Sequence, residues 1–205
     1  MDGNKKNIEH IKRSNYYWRY NLKAETAFIT KENINTLIKE NGIEGNIGIL
    51  SIDIDGNDYW VWKEITIVNP DIVIIEYNSL FGAEAEVTTP YQEDFIRQNY
   101  HYTYLVYGAS IAALVKLGEQ KGYSLVAGNS AGNNLFFVRN DLCNDVIKKI
   151  DAKKAYRQSK FREMRNGNGK LTYASLEERY KSIEETNVWD LKNDRLVTLR
   201  NIEKA

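Results

Sequence analysis

The sequence predicts an α/β fold with a mainly parallel sheet, and three observations predict it. Ile47–Ile54 and Ile72–Tyr77 are short, almost wholly apolar runs, the pattern of strands covered on both faces. A segment with helical character, Asp58–Ile67, separates them. Another strand–helix pair precedes them, so strand, helix, strand, helix and strand follow one another as successive βαβ units.

In chain order, Asn4–Arg13 reads as a helix with Ile8 and Ile11 on one face and Asn4 as its cap. The aromatics Tyr16, Tyr17, Trp18 and Tyr20 lead into a predicted strand over Leu22–Ile29. Thr30 suits an N-cap, with Asn33 where a capping box prefers Glu or Gln, and Gly42 ends the helix. After the strand Ile47–Ile54, the turn Asp55–Gly56–Asn57 opens the helix Asp58–Ile67, and Pro70 precedes the strand Ile72–Tyr77. Residues 78–108 are irregular and rich in Tyr, longer than a neutral connection in a compact domain, which marks them as a functional loop. Ala109–Lys121 is an amphipathic helix closed by Gly122. Strands Tyr123–Ala127 and Asn134–Arg139 flank the turn GNSAGN, and a helix is expected from Asp141 to Ile150. Two regions result: an α/β domain over 1–150 and a basic, weakly periodic, irregular appendage over 151–205. In the latter, 177–185 suits a helix and Arg195–Asn201 a short strand.

Composition narrows the function classes. With 28 bases and 28 acids the chain is neutral, which argues against general nucleic-acid or anionic-membrane binding. The balance is uneven, since Glu40–Asp94 holds twelve carboxylates against the single base Lys63. Cys143 is the only cysteine, so no intrachain disulfide forms. With a polar start and no apolar run of ~20 residues, the cytoplasm is the expected compartment.

Chemistry concentrates in LSIDIDGND, where Asp53, Asp55 and Asp58 surround a strand's C-terminal end, and in IIEYNS, where Glu76 and Asn78 end the next strand. Open α/β sheets bind ligands outside the carboxyl ends of their strands, so neighbouring parallel strands would bring these groups together. Asp53, Asp55, Glu76 and Asn78 are hard oxygen ligands suited to Mg²⁺ or Mn²⁺. Without a metal, a carboxylate in this crowd has a raised pKa and serves as a general base, which makes Asp55 and Glu76 the catalytic candidates. The structural alternative is that Asp55 and Asn57 make the turn and Asp58 stabilises a helix N-terminus. GIEGNIG precedes a strand and is therefore a turn, not a phosphate loop. His101, in NYHYTY, faces either a substrate or its own packed surroundings.

The runs IGILSIDIDGNDYWVWKEI, NPDIVIIEYN and GYSLVAGNSAGNNLFFVRNDL resemble the FkbM-like methyltransferases, S-adenosylmethionine-dependent enzymes of Rossmann-like fold. The resemblance covers roughly residues 1–142. It implies O-methylation of a hydroxyl on a saccharide or other small molecule, with S-adenosylmethionine as methyl donor. Asp2 would hold the cofactor ribose, and substrate and a divalent cation would lie near Asp53, Asp55, Glu76 and Asn78. The family's strand order is 3-2-1-4-5-7-6, and its first strand, glycine-rich loop and most of its second strand have no counterpart in this sequence. The fold expected is therefore an incomplete Rossmann-like one. Strand 47–54 would then be an open edge. Either strand 22–29 pairs with it directly, another subunit covers it in a homo-oligomer, or the reading frame is truncated. A non-catalytic binding or assembly module is the alternative to an enzyme.

Overall fold

The computed structural model describes residues 1–161 and 163–202; Arg162 of the basic stretch and residues 203–205 lie outside the described residues. The first helix, α1 (Lys5–Arg13), begins where Asn4 accepts the Lys6 N–H, and its side chain Ile8 is buried. A short α2 (Asn15–Arg19) follows, with no buried residue. Residues 22–29 form no strand, contrary to expectation. Among the described residues their one ladder contact is an isolated parallel bridge between Asp2 and Thr26. Thr30 and Asn33 close a reciprocal box, the Thr30 N–H donating to Asn33 Oδ1 and the Asn33 N–H to Thr30 Oγ1. Asn thus fills the role expected of Glu or Gln at the start of α3 (Ile34–Glu40).

The main sheet contains β1 (Gly45–Ile52), β2 (Val68–Glu76), β4 (Tyr123–Gly128) and β5 (Asn134–Arg139) in the order β1-β2-β5-β4. Helix α4 (Asp58–Glu64) connects the parallel pair β1–β2, with Ile52 registered against Ile75. Pro70 sits inside β2 rather than before it, opposite Ile47. The expectation of a mainly parallel sheet is corrected here: β5 is antiparallel to both β2 and β4, so the sheet is mixed. The turn at GNSAGN accounts for the β4–β5 pair, whereas the insertion of β5 beside β2 is a long-range pairing. Asn129 Oδ1 accepts the N–H groups of Gly132, Asn133 and Asn134, and so tight a return forces its two strands to be antiparallel. The predicted helix over 141–150 is absent as well. Asn144 Oδ1 accepts from Val146 and Ile147 N–H, a local bond that competes with helix propagation.

The span 78–108 is ordered. It contains β3 (Val87–Thr88) and α5 (Arg97–Tyr100) and leads to α6 (Ile111–Gln120), capped by Ser110 Oγ on the Ala113 N–H. The C-terminal region, expected as an irregular appendage with a helix at 177–185 and a short strand at 195–201, has that helix and strand and builds on this span. After α7 (Ala152–Ala155) and the small hairpin β6 (Met164–Arg165) and β7 (Leu171–Thr172) comes α8 (Leu176–Ile183), which opens with a Ser175–Glu178 capping box. Strands β8 (Asn187–Asp190) and β9 (Arg195–Thr198) then join β3 in a second sheet ordered β3-β8-β9. Two apolar clusters follow from this arrangement. One packs Trp62, Val73, Ile75, Leu114, Leu125 and Phe137 against the main sheet. The other joins Leu80, Phe81, Val87 and Leu105 to Ile183, Val188 and Leu199 of the C-terminal region.

Candidate functional site

At the C-terminal rim of the main sheet, the parallel register sets Asp53 and Glu76 side by side, each one residue beyond the pair Ile52 and Ile75. The chain then turns sharply. Asp55 has φ 58°, a left-handed conformation in which Asp is among the better-tolerated non-glycine residues. Asp58 fixes this turn, its carboxylate accepting the Ile54 and Gly56 N–H groups at 2.9 Å each. Gly56 is required for a different reason: a Cβ there would lie 2.1 Å from Phe95 Cδ1. The loop is thereby pressed against the 89–108 span, and the Asn57 side chain ties it further by donating to the Gln92 carbonyl.

This geometry gathers one carboxylate oxygen from each of Asp53, Asp55 and Glu76 within 4.8 Å of one another. Asp53 and Asp55 are exposed, whereas Glu76 is only 8% exposed and its Oε2 is buried with no hydrogen-bond partner. Burial, then the charges of Asp58, Asp53 and Asp55, push the Glu76 carboxyl up to about 9. Asp53 is raised by burial and by Asp55, against the opposing pull of Arg97. Burial lifts Asp58 to about 6, with the two N–H bonds holding it from rising further.

Arg97 was not anticipated. Its Nη1 donates to Asp55 Oδ1 at 2.8 Å, its Nε donates to the Tyr104 carbonyl, and the guanidinium stacks 4.0 Å from the Tyr107 ring centre. It was missed because Arg97 and Asp55 lie 42 residues apart, with no motif joining them. Tyr107 is raised well above the usual phenol range by burial and by Glu76.

Two expected participants are used elsewhere. Asn78, proposed as a ligand, donates to the Leu105 and Tyr107 carbonyls and accepts the Leu80 N–H, so its amide holds the 78–108 span in place. Asp2, proposed to hold a cofactor ribose, accepts the Asn4 N–H and the Asn7 amide, an arrangement that starts α1. His101 pairs through Nδ1 with Thr103 Oγ1 at 2.6 Å and stacks on Tyr102, and burial lowers its pKa. Several tyrosines of the span serve packing: Tyr91 bonds Glu32 and meets Trp60 edge-on, and Tyr100 donates to the Asn187 carbonyl. Cys143 is a half-buried free thiol.

No protein-family model, curated protein or solved structure matches this chain.

Proposed function

We propose that Asp53, Asp55 and Glu76 hold a divalent cation, Mg²⁺ or Mn²⁺, in an enzyme domain that modifies a hydroxyl of a saccharide or other small molecule. One observation carries this reading. A carboxylate oxygen buried without a partner is costly, as Glu76 Oε2 is, and the Glu76 carboxylate brings an oxygen within 4.8 Å of oxygens from Asp53 and Asp55. The donor set, all carboxylate oxygen, fits a hard cation. Bound there, such a cation would polarise a substrate hydroxyl and lower its pKa. The protein's own groups supply the rest. Asp58 and Phe95 fix the loop carrying Asp55, and Arg97 neutralises one of the surface carboxylates. Burial and the neighbouring carboxylates keep Glu76 protonated in the cation-free site, so a cation binding there would displace that proton.

Methyl transfer from S-adenosylmethionine is the reaction the FkbM-like resemblance implies. The sheet order β1-β2-β5-β4 supports it, reproducing the 4-5-7-6 half of that family's order. On the cofactor side, the Asp2 carboxylate already accepts one hydrogen bond from Asn4 and one from Asn7.

The test is thermal unfolding with and without Mn²⁺ or Mg²⁺. The cation raises the melting temperature of the wild type, and Glu76→Ala abolishes the rise; an unchanged wild-type curve ends the metal reading. Calorimetric titration with S-adenosylmethionine then tests the donor separately.

A second reading, a binding or assembly module, is favoured by the open edge of β1. Among the described residues this strand pairs only with β2, and Ile49 on it is 60% exposed. Self-association through that edge would give a concentration-dependent dimer on sizing, without any cation effect.

A further inference from the structure

We propose that α1, α2 and the exit to Lys23 form a peripheral docking surface for an anionic lipid bilayer. Neutrality of the whole chain conceals a local excess. Residues 1–23 hold six bases, Lys5, Lys6, Lys12, Arg13, Arg19 and Lys23, against two acids, a net charge of +4. All six bases are exposed, and none forms an ion pair among the described residues. The same short segment presents aromatics outward, with Tyr16 67%, Trp18 72% and Tyr20 65% exposed. Nothing buries them: α2 has no buried residue, and the contacts of these rings stay local, Tyr16 on Tyr20 and Arg19 over Trp18. Ile11 and Leu22 of the same stretch are exposed as well.

Tyr and Trp have an apolar body and a polar tip, which suits them to the boundary between lipid headgroups and acyl chains. Bases beside them are drawn to anionic lipid. The alternative occupants match less well. Helix α2 spans only ~7.5 Å, a small platform for a protein partner, since stable interfaces typically take ~800 Å² from each side. A lipid interface requires no matching shape. Single-stranded nucleic acid would use the bases and rings but not Ile11 and Leu22. No helix among the described residues is long and apolar enough to cross a membrane, so the surface lies on the bilayer rather than spanning it.

The test uses the full chain and vesicles of either phosphatidylcholine alone or equal parts phosphatidylcholine and phosphatidylserine, at low salt. Trp18 is the exposed one of four tryptophans, so its fluorescence reports insertion. The mixed vesicles should sediment the protein and shift its emission to the blue, while phosphatidylcholine alone binds at least ten-fold more weakly. Lys5→Gln, Lys6→Gln and Lys12→Gln together should weaken binding about a hundred-fold, and Trp18→Ser should remove the blue shift, with melting temperatures unchanged. The proposal is overturned by absent sedimentation with the mixed vesicles, or by equal binding to both vesicle types that the triple variant leaves intact. It is equally overturned by preferential uptake of a single-stranded oligonucleotide, or by a dimer whose Trp18 emission is already blue-shifted without lipid. None of these outcomes depends on the carboxylate site.

Discussion

Asp58 accepts the Gly56 N–H at 2.9 Å, and through that bond a buried carboxylate two residues along the chain sets the turn carrying Asp55. The same carboxylate takes the Ile54 N–H, so both of its oxygens are committed. Asp58→Asn keeps the shape but offers one acceptor in place of two and turns an amide N–H toward a backbone N–H. We expect a loss of ~1–3 kcal/mol in chemical denaturation, together with loss of cation-dependent stabilisation. A variant as stable as wild type would show that the turn does not need both bonds.

Glu76 predicts a pH dependence of definite sign. Its carboxyl titrates near 4.5 when free and is pushed up to about 9 in the fold. Between those values the folded state holds the proton more tightly than the unfolded state. This group's contribution is therefore fully present below about 4.5 and is lost as pH rises toward 9, at up to ~1.4 kcal/mol per pH unit. Glu76→Gln mimics the protonated form and should flatten that slope, making the variant more stable than wild type at pH 8. Denaturant unfolding measured from pH 5 to 9 checks this; a less stable Gln variant at pH 8 would overturn it.

Gly56 and Phe95 form a second coupled pair. Gly56→Ala places a methyl into the Phe95 ring and should cost ~1–3 kcal/mol. Phe95→Leu alone also destabilises, but combined with Gly56→Ala it should restore part of the loss. A double-mutant cycle reads the coupling, and strict additivity would show that the ring moves aside freely.

Arg97 competes with a cation for Asp55. Arg97→Gln removes the ion pair and the stacking on Tyr107, costing ~1 kcal/mol because Asp55 is exposed. With the guanidinium gone, the Asp55 carboxylate is free for the cation, so the increment in melting temperature from Mn²⁺ should grow. An increment unchanged from wild type would separate Arg97 from the cation site.

Ser110 joins the two sheets' supports, capping α6 through the Ala113 N–H while donating to the Ala85 carbonyl and accepting the Val87 N–H. Ser110→Ala should lower stability by ~1–3 kcal/mol, since it leaves buried backbone groups unsatisfied. Hydrogen exchange should show the loss concentrated around Val87; protection unchanged there would refute the role.

Much of this molecule was legible locally. The apolar runs located β1 and β2, the Asn4 cap located α1, and the Asn-rich turn bounded β4 and β5, because each signal acts within a few residues. Asp53, Asp55 and Glu76 were legible too, since parallel neighbours carry their chain ends to one rim. The failures share a cause. Leu22–Ile29 has strand-like composition, yet a strand needs a partner, and among the described residues its one bridge is to Asp2. Asn78 has the chemistry of a ligand, yet its amide satisfies the Leu105 and Tyr107 carbonyls and the Leu80 N–H. The sequence by itself determined the strands' positions and which acids crowd the rim. Tertiary structure alone decided the antiparallel insertion of β5, the approach of Arg97 to Asp55 and the isolation of Glu76 Oε2. Strand pairing and desolvation depend on groups distant in the chain, whereas turn and cap chemistry depend on near neighbours.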